Sequence, residues 1–116
     1  MRAIIINMRD IRQFKQKLNF VIKNAAKRTS PAKIILFGSY AYGKPNKDSD
    51  VDLLFIKDTR LKGVKRHSHF CSKIDHIFPV DIIVKTPAEI KKRLDMGDPF
   101  YREIIQKGVV LYESPK

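Results

Sequence analysis

Two short apolar runs, Lys33–Phe37 and Val51–Ile56, are separated by a segment that interrupts any regular element. Gly38-Ser39 ends the first run, and Gly43 to Ser49 (GKPNKDS) gathers Gly, Pro, Asn, Asp and Ser. Runs of this length, rich in branched residues and bounded by turn formers, read as strands joined by a loop. A third such run, Val80–Val84, follows a stretch with helical character. Strands joined once by a loop and elsewhere through helices predict a mixed sheet.

The remaining elements fall around these strands. Ile11, Phe14, Leu18, Val21, Ile22 and Ala25 recur at spacings of three and four, which predicts an amphipathic helix over residues 8–28. Ser30-Pro31 stops it, because proline disfavours the helical region for the residue before it. Ser39 to Tyr42 suits a short helical turn. Residues 60–77 are predicted helical, with Val64, His67 or Ser68, Cys71 and Ile74 turned inward. Thr86-Pro87-Ala88-Glu89 has the form of a capping box and opens a helix that runs to about Met96. Asp98-Pro99 opens another, through Lys107, with Gly108 as its stop. Val109–Tyr112 is a last short strand. The expected fold is α/β (α+β), a mixed β-sheet flanked by helices. The 116 residues suit a single domain over residues 1–116, with its core at about 10–113.

Within this frame the acids stand out. Asp50 and Asp52 flank Val51, so their side chains share one face of a strand, with Cα atoms about 6–7 Å apart. Like charges on one face repel unless a cation or basic residues balance them. Asp81 interrupts the apolar run around Val80–Val84, where an unpaired buried carboxylate is costly. A neighbouring strand would bring it to the Asp50/Asp52 face, and converging carboxylates suit hard cations such as magnesium. Gly38-Ser39 follows a strand and precedes a helical turn. There a glycine admits a phosphate close to the backbone, and the amides and the Ser39 hydroxyl can donate to it. The bland readings stay open: an acid pair on a wet face, an Asp81 salt bridge and an ordinary Gly-Ser turn.

Composition narrows the class. The net charge is +12, which favours nucleotides, other polyanions or an acidic protein partner. The basic residues are scattered, however, as on a solvated face, and no known RNA-binding module is present. No window approaches a membrane helix, and the Ile4-Ile5-Ile6 run lacks the layout of a signal peptide. Cys71 is the sole cysteine, which excludes an internal disulfide and fits a reduced, cytoplasmic setting. It reads as a half-buried helix residue.

Phe37-Gly38-Ser39, the interval Tyr40 to Ser49, Asp50-Val51-Asp52 and a later Asp81 together resemble the signature of the nucleotidyltransferase superfamily related to DNA polymerase beta. The short length and the closing FYREIIQKGVVLYE resemble the minimal nucleotidyltransferases of prokaryotes (MNT). The resemblance implies a nucleotidyltransferase-like sheet and metal ligation by Asp50, Asp52 and Asp81, with two Mg2+ ions expected. It implies that Gly38 and Ser39 hold the β and γ phosphates, with ATP as donor. The reaction is then in-line attack of an acceptor hydroxyl on the α phosphorus, helped by Asp81. Minimal members are often paired with a helical HEPN protein as antitoxin of a toxin–antitoxin pair, and some adenylylate a tyrosine of that partner. The alternatives are a non-catalytic antitoxin that acts by covering its partner and, less favoured, a nucleic-acid-modifying nucleotidyltransferase.

Competing chemistries fail on the residues. Neither G-x-x-x-x-G-K-[ST] nor G-x-G-x-x-G occurs. His67 and His69 diverge on a helix and make a poor metal pair. His76 is read as structural, like them. Tyr40 and Tyr42 are read as covering a core edge rather than stacking on a base. Lys65 and Arg66 are candidates for added phosphate contacts.

Overall fold

The computed structural model describes residues 8–46 and 48–115, with side chains from residue 12 onward. The Ile4–Ile6 run, the Ile11 side chain and Lys47 of the loop lie outside the described residues. In chain order the elements are α1 (Met8–Thr29), β1 (Lys33–Phe37), α2 (Ser39–Tyr42), β2 (Val51–Ile56), α3 (Gly63–Cys71), β3 (Val80–Lys85), α4 (Pro87–Asp95), α5 (Pro99–Lys107) and β4 (Val109–Glu113).

The four strands form one sheet in the order β3-β2-β1-β4. β1 pairs antiparallel with β2 and β4, and β2 pairs parallel with β3. The parallel pair requires a crossover, which α3 supplies. The sheet is therefore mixed, as expected.

Both faces of the central strands are covered, which is why they read as near-continuous apolar runs. On one face Ile34, Leu36, Val51, Leu53 and Phe55 meet Leu18, Val21, Ile22 and Ala25 of α1 and Phe70 of α3. On the other, Ile35, Phe37, Leu54 and Ile56 meet Ile90 of α4 and Tyr101 and Ile104 of α5. Ile34, Leu53, Leu54 and Phe55 are wholly buried. Each contributes about 1.5–3 kcal/mol relative to exposure.

The helix ends follow local chemistry. Thr86 Oγ1 accepts from Glu89 N, and Glu89 Oε1 accepts from Thr86 N, completing the capping box. Ser30 leaves the helical region at φ 47°, ahead of Pro31. Gly108 stops α5 as expected, but its backbone is extended (φ −65°, ψ 160°) rather than left-handed. Its lack of a side chain matters for close approach: a Cβ there would meet Ile104 O, Ile35 Cγ2 and Leu36 O.

One expectation fails. α3 is shorter than residues 60–77, and its inward residues are Arg66 and Phe70; Ile74, beyond its end, is buried as expected. Val64 is 81% exposed. Phe70 brings more apolar area than any competing residue, and its edge-to-face contact with Phe55 fixes the helix rotation. That rotation buries Arg66, which is tolerated because its guanidinium group is partnered. Nε donates to Leu61 O (2.7 Å), and Nη1 donates to Glu89 Oε1 (2.6 Å) and Val84 O (3.3 Å). Arg66 thus ties α3 to the outer edge of β3 and to the start of α4, and it is not a spare phosphate ligand.

Candidate active site

Asp50 lies immediately before β2, and Asp52 is its second residue. The register sets Phe37 of β1 opposite Asp52 on one side and Asp81 of β3 on the other. Alternation puts Asp52 on the face of Leu54 and Ile56, and Asp81 on the face of Ile83. The acids therefore sit at the end of the α4/α5 face, beyond the helices that cover its middle. Phe100 of α5, edge-on to Phe37 at 5.8 Å, marks that boundary.

Each carboxylate is held by its surroundings. The loop before Asp50 is braced internally: Asn46 N donates to Ser49 Oγ (3.0 Å), Asp48 N to Asn46 Oδ1 (2.8 Å) and Ser49 N to Asn46 O (3.0 Å). Asp52 packs against Gly38, the residue that caps α2. Gly38 adopts φ 74°, ψ −155°, and a Cβ added there would collide with Asp52 Oδ2 and lie 3.1 Å from its Cγ. Ala41 N and Tyr42 N donate to Gly38 O. The Ser39 and Tyr40 amides, at the start of a single turn, have no intrahelical acceptor. The structure thus brings Gly38 and Ser39 beside the acids.

The electrostatics are those of a site short of positive charge. Burial raises the Asp52 carboxyl above its ordinary range, and the charges of Asp81 and Asp50 add to the effect. Asp81 is likewise raised, first by burial and then by a carboxyl hydrogen bond with Asp50 and by its charge; His67 opposes this. Among the described residues no ion pair involves Asp50, Asp52 or Asp81. Nor are any three His, Cys, Asp or Glu side chains of the described residues gathered tightly enough to hold an ion as they stand. Uncompensated carboxylates repel one another. Oxygen-only donors with no basic partner fit a hard divalent cation, which would draw them together.

Several side chains near the acids have other work. Tyr40 stacks on Phe14 at 4.8 Å, and Tyr42 packs against the opposite core, so both cover a core edge as expected. His76 bonds Cys71 O at 2.9 Å, and His69 lies edge-on to Phe70. Cys71 is half-buried at the end of α3. Sequence reasoning missed that α3 sets His67 and Cys71 3.7 Å apart beside β3, where the His67 charge acts on Asp81 and the Asp81 charge adds to burial in raising the Cys71 thiol. Their spacing of four was legible; the path of α3 along β3 was not.

Asp50 and Asp81 are exposed and Asp52 is half-buried, so the carboxylates are reachable from solvent.

Residues 12–112 match the family model described as "Nucleotidyltransferase domain". A Methanocaldococcus jannaschii protein named a "putative protein adenylyltransferase" is 33% identical over 82 residues, which is 69% of this chain and 77% of that protein. The crystal structure of a "putative nucleotidyltransferase" from Sulfolobus solfataricus superposes with a TM-score of 0.63 at 21% identity, covering 91% of this chain and 85% of that one. This second likeness speaks for the fold alone. Members of the family generally use a nucleoside triphosphate and a divalent metal. With its family model matched along nearly the whole described chain, this protein belongs to the nucleotidyltransferase domain family and is a nucleotidyltransferase.

Proposed function

We propose that the protein transfers AMP from ATP to a hydroxyl group on a partner protein, using Mg2+ held by Asp50, Asp52 and Asp81. The observation that carries this reading is the register of Asp52 opposite Asp81, with Gly38 packed against Asp52 and, among the described residues, no basic residue paired to the acids. The acceptor oxygen forms a bond to the α phosphorus as the bond to the bridging oxygen breaks, and pyrophosphate leaves. Asp81 receives the hydroxyl proton. The amides of Ser39 and Tyr40 and the Ser39 hydroxyl face the β and γ phosphates. When bound, the metal supplies charge neutralisation and alignment of the triphosphate.

A protein acceptor is favoured by the exposure of Asp50 and Asp81 and by the name of the M. jannaschii relative. The MNT resemblance supports a HEPN-type protein as the partner and an antitoxin role for this chain, in a cytoplasmic setting. The direct test is Mg2+-dependent transfer of label from α-labelled ATP to such a partner, comparing wild type with Asp81→Asn. Label on the partner with wild type alone supports the reading. Partner binding by both proteins with no transfer by either replaces it with a binding antitoxin.

A further inference from the structure

A groove between α1 and β4 takes no part in nucleotidyl transfer. It encloses about 500 Å3. Ile22, Ala26 and Leu111 form an apolar floor, with Lys23 and Lys27 of α1 on one side and Tyr112 of β4 on the other. It lies on the α1 face of the sheet, whereas the carboxylates lie at the end of the opposite face.

β4 is the terminal strand, and among the described residues no strand pairs with its outer edge. Such an edge offers a row of backbone donors and acceptors to any extended chain. Proteins commonly blunt exposed edges with lysine or proline. β4 (VVLYE) has neither; its one charged residue, Glu113, is paired with Lys33 at 3.7 Å, and Val109 and Val110 are 43% and 48% exposed. The register shift between Ile34 and Ile35 lets the consecutive residues Leu111 and Tyr112 both pack toward α1. An incoming strand would therefore meet the backbone of β4 on either side of this irregularity, and a side-chain pocket beside it.

Charge selects the occupant. Between residues 12 and 29, α1 carries Arg12, Lys15, Lys17, Lys23, Lys27 and Arg28 and no acid. Of these, only Arg28 has an ion-pair partner, Asp75, among the described residues. A second copy of this chain, at +12, would set like charge against like. The segment Met1 to Asn7 holds Arg2 and no acid, so it complements the lysines no better.

We propose that the groove docks an extended, acidic segment of a partner protein, which adds a strand to the outer edge of β4 and sets its carboxylates against Lys23 and Lys27. Backbone pairing supplies the register, and the lysines select the charge. Docking here is separable from transfer, so its failure would leave the transfer reading standing.

The test is fluorescence anisotropy with the full chain and a short fluorescein-labelled peptide alternating valine and glutamate. Its controls are the same peptide with lysine for glutamate, and the acidic peptide N-methylated at alternate amides. The acidic peptide should bind and the lysine peptide should not. The double substitution Lys23→Glu/Lys27→Glu, on exposed side chains, should weaken binding about tenfold or more. N-methylation, which removes strand pairing and leaves the charges, should cost about tenfold as well. Equal binding by the charge-reversed protein, or by the N-methylated peptide, would overturn the proposal. Displacement by oligouridylate at lower concentration than unlabelled peptide would give the lysines to nucleic acid instead. A stable homodimer in light scattering, dissociated by Val110→Lys, would give the edge to a second copy.

Discussion

Asp52 Oδ2 occupies the place that a side chain on Gly38 would fill. The glycine that ends β1 is therefore part of the carboxylate site itself, in addition to any room it leaves for a phosphate. Two constraints meet there, since φ 74° with ψ −155° is a conformation that residues with a side chain rarely adopt. Gly38→Ala should lower stability by about 1–3 kcal/mol from backbone strain alone. It should also push Asp52 aside, and misplacement of a reacting group by about 1 Å costs on the order of a hundredfold in rate. Urea unfolding and steady-state transfer rates measure the two effects. Wild-type kcat/KM in a folded Gly38→Ala protein would contradict the packing.

Asp52 and Asp81 face each other across parallel strands, so the metal-free protein carries a like-charge pair that opposes folding. Asp52→Asn or Asp81→Asn should therefore stabilise the metal-free protein by roughly 0.2–1 kcal/mol while abolishing transfer. The pH dependence has a definite sign. Both carboxyls are raised above 3.8, so the folded state binds more protons than the unfolded chain. Their contribution to stability is fully present below pH 3.8 and is lost as pH rises through the folded values. Burial is the main cause of both shifts and the like charges add to it, so either Asn variant should flatten that fall in metal-free unfolding curves; a fall as steep as in wild type would exclude these carboxyls as its cause.

If the acids hold a divalent ion, Mg2+ should reverse this penalty. At a concentration about 100 times its dissociation constant, an ion that binds only the folded state adds about 2.7 kcal/mol. The Tm of wild type should rise by several degrees with added MgCl2, and that of Asp50→Asn/Asp52→Asn should not. KCl at matched ionic strength controls for screening, which affects both proteins alike. Equal shifts in the two proteins would place the ion elsewhere.

The strands and the acids were legible because both depend on short-range pattern. The alternation of Asp50, Val51 and Asp52 fixes a face wherever the strand lies, and the apolar runs declare burial on both sides. The rotation of α3 was not legible. Val64, His67 or Ser68, Cys71 and Ile74 form a plausible inward set, and Ile74 is indeed buried, but Phe70 has a pocket against Phe55, and Arg66 finds partners on β3 and α4 that lie far away in sequence. Likewise, nothing local announces that His67 approaches Asp81. The observed phase has a simple check. Val64→Lys should change stability by less than about 0.5 kcal/mol, as at other exposed positions. Phe70→Ala should cost about 3–5 kcal/mol. The reverse order would restore the rotation expected from the sequence.

The Arg66–Glu89 pair gives the fold an acid-sensitive fastening. Glu89 Oε1 accepts from both Thr86 N and Arg66 Nη1, so one carboxylate closes the cap of α4 and anchors α3. The Arg66 hydrogen bond is the main cause that holds the Glu89 carboxyl below its ordinary value of 4.5; burial opposes it. A depressed carboxyl contributes stability that is fully present above pH 4.5 and is lost as pH falls through the folded value. Glu89→Gln keeps a side-chain oxygen for the cap but removes the charge, so it should destabilise the protein at pH 7 and make progressively less difference as pH falls below 4.5. Glu89 is 42% exposed, and solvent screening limits the loss to about 1 kcal/mol. Arg66→Met preserves the buried stem and leaves Glu89 unpaired; it also strips Leu61 O and Val84 O of a donor and should cost about 2 kcal/mol. Urea midpoints for the two single variants and the double variant at pH 7 measure the coupling. Strictly additive losses would mean that the 2.6 Å contact contributes nothing of its own.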